Sequence, residues 1–176
     1  MPTELLWRLL AFILSRRPVA DWIIRRAQRT PYFHLPGYMD RWWLFNPYSS
    51  DTGMPDEARG KSKRWLRLPS VRVHHILRHD LADHHHDHPW NARTIILRGY
   101  YFEGREAGHM RIMTRGDTSP IRFGEFHHIH HVSDGGVFTL FFTWGYAGTW
   151  GFSVDGRKMP HREYLQRYPQ PKEAGE

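Results

Sequence analysis

The chain has 176 residues, enough for one domain with a core of its own. It contains no cysteine, which excludes disulfides, a thiolate nucleophile and any cysteine-ligated zinc site; a metal here must rest on nitrogen and oxygen donors. The formal net charge of +7 favours acidic partners in general, but no nucleic-acid motif accompanies it.

The first predicted element is a helix over 3–16. Its apolar run from Leu5 to Leu14 is too short to cross a bilayer and carries Arg8. It does not read as a good signal peptide: the positive residues follow the apolar stretch, and no small-residue cleavage site is evident. Docking on the core is the expectation, an interfacial helix the alternative. Pro18 breaks this helix, and a second one is predicted over 19–29, with Val19, Trp22, Ile23 and Ile24 as its apolar stripe and arginines opposite. Basic charge gathers in this third of the chain, at Arg16, Arg17, Arg25, Arg26, Arg29 and Arg41. A solvated helix face is the plain explanation; contact with a membrane surface or nucleic acid is the other. Thr30-Pro31 ends the helix, since the residue before proline avoids helical geometry. An aromatic, turn-rich segment over 32–38, a strand over 41–45 and a polar loop over 46–63 follow.

From Arg64 the pattern changes to short apolar or alternating runs with turn residues between them. Strands are predicted near 64–68, 71–78, 93–103, 109–114, 120–123, 127–132, 136–144 and 150–153, with glycines punctuating them. Such spacing points to a sandwich or barrel. A short helix near 160–167 precedes a polar tail over 169–176. The domain reading is an N-terminal extension over 1–50, a loop over 51–63, a β-barrel over 64–168 and the tail. A cytoplasmic location is expected, since nothing requires an oxidising compartment.

The chemistry is concentrated in His84-His85-His86-Asp87-His88-Pro89-Trp90, with four of the fourteen histidines in five residues, and in His127-His128-Ile129-His130-His131. Imidazole is the commonest protein ligand for first-row transition metals. On an extended chain, side chains alternate with period two, so His86 and His88 point the same way and can grip one ion. A third ligand must come from elsewhere, and the second cluster can supply it. Alternation puts Ile129 and His131 on the His127 face, with His128 and His130 opposite; a bulge would exchange the sets. His84 and His85 are read as loop residues, and His74 and His75 as sheet residues.

The order is a His-x-His pair, an apolar strand Thr94–Leu97 ending in Arg98-Gly99, then Gly116-Asp117 and Gly124-Glu125-Phe126-His127. In this, residues 70–145 resemble the cupin superfamily. Arg122 stands where proline is usual and His131 where asparagine is usual. The resemblance implies an all-β double-stranded β-helix (a jelly-roll barrel), here with an N-terminal α-helical extension and a short C-terminal helix. It selects His127 as the third ligand, with His130 and His131 as alternates. The family's glutamate ligand falls at Ala92 or Arg93, neither of which can replace it. Three histidines without the acid are similar to the thiol dioxygenase branch, which holds non-haem iron and leaves open positions. Residues 29–45 and 144–165 further resemble cupin-like proteins of phages and bacteria, which supports the fold more than a function.

The implied function is a metal-dependent enzyme acting on a small molecule. The cofactor is a divalent transition metal: iron is favoured, and zinc, nickel, manganese or copper also suit three histidines. Arg93, Arg98 and Tyr101 are the candidate substrate-binding residues, and Glu103 a late carboxylate for ligand or base. Trp90, Tyr100, Phe102, Trp144, Tyr146 and Trp150 are expected mostly in the core. The rival is a non-catalytic, metal-free cupin module whose basic N-terminal helices dock a membrane surface, nucleic acid or a protein. A homodimer is a further expectation from the resemblance.

Overall fold

The structure is a computed structural model and describes residues 2–31, 34–47, 68–106, 108–146 and 148–169. The expected loop at 51–63, the strand at 64–67 and most of the tail lie outside the described residues. Within them are three helices, α1 (Pro2–Leu14), α2 (Arg17–Ala27) and α3 (His161–Arg167). The strands are β1 (Met39–Phe45), β2 (Ser70–Ile76), β3 (Asn91–Arg98), β4 (Tyr100–Arg105), β5 (Met110–Thr114), β6 (Thr118–Ile121), β7 (His127–Val132), β8 (Val137–Trp144), β9 (Gly151–Val154) and β10 (Arg157–Pro160).

The strands form antiparallel layers. One sheet has the order β1-β2-β8-β3-β6; a second has the order β5-β4-β7; β9 and β10 pair as a hairpin. A single extended residue joins the last two. His86 bridges both His127 of β7 and Phe152 of β9, with His86 N–H to His127 O and His127 N–H to His86 O both at 2.9 Å. The fold is thus mostly β, as expected, but the ladders do not close into a barrel among the described residues.

Gly99 explains why the predicted 93–103 strand is two strands. Its φ of +78° turns the chain from β3 in one sheet to β4 in the other. A Cβ there would lie 2.6 Å from the Gly136 carbonyl oxygen and 2.7 Å from Ser133 Oγ, so only glycine fits.

The five-stranded sheet is covered on both sides, which is why the run Ile95-Ile96-Leu97 of β3 is apolar on both faces. On its outer side Ile95 and Leu97 pack with Val73 and Leu140 under Ile23, Ile24 and Ala27 of α2. On its inner side Ile96 joins Tyr101, Met113, Ile129 and Val137 between the layers. Burying each such side chain is worth about 1.5–3 kcal/mol.

The helices depart from expectation in three ways. Pro18 stands in the first turn of α2, where its missing N–H costs nothing, rather than ending α1 alone. The buried stripe is Ala20, Ile23, Ile24 and Ala27, a three-four-seven spacing; Trp22 lies off it and is 60% exposed. Nor is α1 a core helix. Only Ala11 is buried, with Trp7 and Leu14 partly so, while Leu5, Leu6, Leu9, Leu10, Phe12 and Ile13 face outward. Trp7 meets Phe142 edge-on with ring centroids 5.2 Å apart. No helix among the described residues is long and apolar enough to cross a membrane.

Candidate metal centre

His86 and His88 do not sit on a ladder strand. They lie on the extended segment between β2 and β3, pinned at His86 by β7 and β9, and at Asp87 by its N–H to Gly151 O at 3.0 Å. The period-two argument still holds, because it needs only extended backbone. Asp87 points the other way and is fully buried, accepting from Gly151 N–H at 2.7 Å and pairing with Lys158 at 2.5 Å. That anchor sets the direction of its two histidine neighbours.

His127, the first residue of β7, completes the group. One ring nitrogen from each of His86, His88 and His127 lies within 4.8 Å of the others. The Nε2 atoms of His88 and His127 are 2.9 Å apart. Two imidazoles at right angles on an ion about 2.1 Å from each would stand about 3 Å apart, so the spacing suits a shared transition metal.

Behind the cluster stand two buried carboxylates. Glu103 on β4, 1% exposed, accepts from His127 Nδ1–H at 2.8 Å. That bond fixes the His127 tautomer and leaves Nε2 as a lone pair facing the group. Glu103 is itself held by Arg111, whose Nε–H donates at 2.7 Å, and by Arg105 at 3.1 Å. Burial pushes the Glu103 carboxyl up, but the His127 hydrogen bond and the charges of His127, Arg105 and Arg111 outweigh it and hold it at about 2. Asp80 plays the corresponding part for His86: its Oδ2 is 3.6 Å from His86 Nδ1 and accepts from Ile129 N–H at 2.8 Å, while Tyr38 O–H donates to its Oδ1. Burial raises the Asp80 carboxyl, and His86, the Ile129 N–H and Tyr38 more than compensate, keeping it below the usual range.

His86 and His88 are held neutral. Burial lowers His86 to about 4, opposed by Asp80 and assisted by its histidine neighbours. Burial also puts His88 well below the usual range, with His127, His86, Arg72 and His74 adding to it. Neutral imidazole is the form that binds a metal.

The group forms one wall of a cavity of about 310 Å³ between the two layers. Trp90, Phe141, Tyr101 and Trp150 also line it. Tyr101 is the one candidate substrate-binding residue found in the cavity; it is buried, and burial followed by the Glu103 charge raises its hydroxyl. Arg93 and Arg98 are elsewhere. Arg93 shares the outer face with Ile95 and Leu97; it pairs with Glu4 of α1 and lies 4.9 Å from the Trp7 ring centroid. Arg98 pairs with Asp21 of α2. A buried arginine does need a carboxylate, but the helices supply it. Ala92, where the acid ligand was sought, is buried in an apolar cluster with Ile121 and Phe141.

The alternates in the second histidine cluster do not join the group. Phe102 faces His131 and Glu103 faces Ile129, so β7 carries an extra residue at His130. This bulge reverses the alternation: Val132 returns to the core while His130 and His131 face outward. His131 packs on Tyr100 and Phe102, and His130 on His128 and His85. His84 bonds the Tyr164 hydroxyl at 2.9 Å. Of the other aromatics expected in the core, Tyr100, Trp144 and Tyr146 are exposed. Sequence reasoning missed Asp80 and Tyr38 altogether; no motif marks them.

No protein-family model and no curated protein matches the chain. Solved structures similar to it include a cupin-like protein from Thermotoga maritima, 15% identical with a TM-score of 0.43 over 75% of this chain and 89% of that one. KdgF from Halomonas sp. is 11% identical, with a TM-score of 0.44 over 66% of this chain and 88% of that one. Oxalate decarboxylase from Bacillus subtilis is 12% identical, with a TM-score of 0.48 over 79% of this chain and 32% of that one. At such identities and scores these likenesses carry nothing about chemistry or partners. The chain's own features are antiparallel layers, a glycine switch from β3 to β4 and His86, His88 and His127 seated together at the junction of the strands.

Proposed function

We propose that this protein is a metal-dependent enzyme acting on a small molecule, with His86, His88 and His127 as the protein's ligands to one divalent transition metal. The observation that carries the reading is the set of three imidazoles within 4.8 Å, opening on a cavity and backed by Glu103 and Asp80. A structural ion would be closed off by four protein ligands; three with cavity space beside them leave positions for a substrate. Iron is the favoured ion and dioxygen-dependent oxidation the favoured reaction class; zinc, nickel or manganese would instead suit hydrolysis or isomerisation. The chain's own residues orient the histidines through Glu103 and Asp80 and exclude water with Trp90, Phe141 and Trp150. The test is elemental analysis of untagged protein purified without added metal, beside His86→Ala and His127→Ala. Near-stoichiometric metal lost in both variants supports the reading; no metal in the wild type, and none on reconstitution, refutes it.

A second reading concerns the N-terminal helices, and the exposed face of α1 favours it. Six large apolar side chains face outward on a 13-residue helix, beside Arg8, Arg16 and Arg17. The two acids of this region, Glu4 and Asp21, are paired to the sheet by Arg93 and Arg98, so the outward charge is basic. Apolar and basic side chains together suit an anionic membrane surface better than a nucleic acid. Sedimentation with vesicles of phosphatidylglycerol and phosphatidylcholine should carry the protein down, and phosphatidylcholine alone should not. Equal behaviour with both, or no loss on Leu9→Glu, would reject the docking.

A further inference from the structure

The two segments that carry the inner histidines carry a second set on their other side. His86 and His127 face each other across the antiparallel bridge between β7 and the segment preceding β3. One step along each chain in that register stand His85 and His128, and alternation turns both to the opposite face. Their ring centroids are 5.8 Å apart. His130, two residues beyond His128, brings a third imidazole, 4.3 Å from the His128 ring and 6.1 Å from that of His85. His127 and Ile129 line the cavity, so the His128 and His130 side of β7 is the one away from it.

The buried member of the set is prepared as a ligand. His128 is 7% exposed, and its Nε2 lies 2.7 Å from the Ala82 carbonyl oxygen. A carbonyl only accepts, so Nε2 carries a proton and donates it, and in the neutral ring Nδ1 is left as a lone pair. That Nδ1 atom is buried with no hydrogen-bond partner among the described residues. A buried acceptor without a donor is costly to keep. A ring whose other nitrogen donates to a backbone carbonyl is also the form in which histidine holds metals.

A glycine seats the third ring. Gly104 of β4 lies opposite His128, and a Cβ there would come 2.6 Å from His130 Nε2. The missing side chain lets the His130 imidazole lie across β4 instead of projecting away from the sheet. Three imidazoles on one tetrahedral ion have ring centroids about 5 Å apart. Those of His86, His88 and His127 stand at 4.6, 5.1 and 5.2 Å. The outer triangle is wider on two sides, and both run to His85, which is half-buried. Closing on an ion therefore asks for a change in one side chain at the surface and none in the backbone.

We infer that His85, His128 and His130 form a second site for a divalent transition metal such as zinc, on the face of β7 away from the cavity. The inference goes beyond the enzyme reading and does not rest on it, since the two groups share no ligand. Imidazoles without a thiolate suit a borderline ion. An ion bound there ties the segment preceding β3 to β7 from outside, as the His86–His127 bridge does from within.

The experiment is equilibrium dialysis of the untagged full chain against low micromolar free zinc, with bound zinc counted by elemental analysis. Wild type should hold two equivalents, His86→Ala/His88→Ala one, and His85→Ala/His130→Ala one. Removing all four of these histidines should leave none. Uptake unchanged in His85→Ala/His130→Ala would overturn the inference, as would no uptake at all. A single equivalent that survives His86→Ala/His88→Ala and is lost in His85→Ala/His130→Ala would sustain it and defeat the metal reading of the inner group. The buried residue separates a built site from chance binding by surface histidines. His128→Phe keeps a ring, removes the lone pair and should cost the same equivalent; a variant that still holds it would refute the assignment. If His128→Phe does not fold by circular dichroism, Gly104→Ala keeps all three histidines and displaces the His130 ring. It should weaken zinc at the outer site at least tenfold, and unchanged affinity would count against the site.

Discussion

Replacing Glu103 with glutamine keeps the shape of the side chain and removes its charge. The carboxylate accepts from His127 Nδ1–H on one oxygen and from Arg111 on the other, with Arg105 beside both. A glutamine has one acceptor oxygen, so its amide N–H must face either the His127 donor or the Arg111 donor. A carboxyl held at about 2, against an ordinary 4.5, owes about 3 kcal/mol to interactions of its ionised form. Because the group is 1% exposed, little of this is screened by solvent. Glu103→Gln should therefore lower the unfolding free energy of the metal-free protein by about 3 kcal/mol, within the range of about 3–5 for breaking a buried pair. It should also weaken metal binding by about 10–100-fold, since His127 loses the acceptor that fixes its tautomer. Urea unfolding at pH 7.5 reads the first effect and a competitive chelator titration the second. A loss of stability under 0.5 kcal/mol would refute the account of Glu103 as a buried charge anchor. Unchanged metal affinity would refute its role in orienting His127.

Three further outcomes follow from the same structure. The metal-free protein should lose stability as the pH falls from about 6.5 towards 4. The unfolded chain takes up a proton at His86 that the folded protein refuses until about pH 4, a contribution of about 3 kcal/mol; a urea midpoint constant from pH 7 to pH 5 would contradict the burial of this histidine. Gly99→Ala should destabilise the fold by about 1–3 kcal/mol, because the residue needs φ of +78° and its Cβ would meet the Gly136 carbonyl; thermal unfolding at the wild-type temperature would count against the sheet switch. Arg93→Met should release α1 while leaving the histidine group in place, since Arg93 holds Glu4 and Trp7 on the face away from the cavity. Limited proteolysis should then cut within residues 1–16 faster, with metal content unchanged; slower metal uptake instead would place Arg93 in the site.

Several features were legible because they depend on neighbours along the chain. The His86-x-His88 pair needs only extended backbone to point both rings one way, and the structure supplies that backbone without a ladder strand. The two N-terminal helices, the glycine-punctuated strands and the place of His127 at the start of β7 likewise follow from local spacing.

What only the tertiary structure decided are the relations across the sheets. One extra residue in β7 turned His130 and His131 outward and put Glu103 behind His127, and no spacing in either strand announces that register. Asp80 turns back on His86 from the same segment and is held there by Tyr38 from a distant one, and Arg72 and His74 become cavity residues only because β2 lies beside β8. The arginines flanking the apolar strand were candidates for the substrate only if turned inward; helices packed on the outer face claim them instead. A sequence encodes which side chains share a face. Which face is turned to a cavity and which to a helix is set by the layers that cover the sheet, and those layers are brought together by burial rather than by spacing.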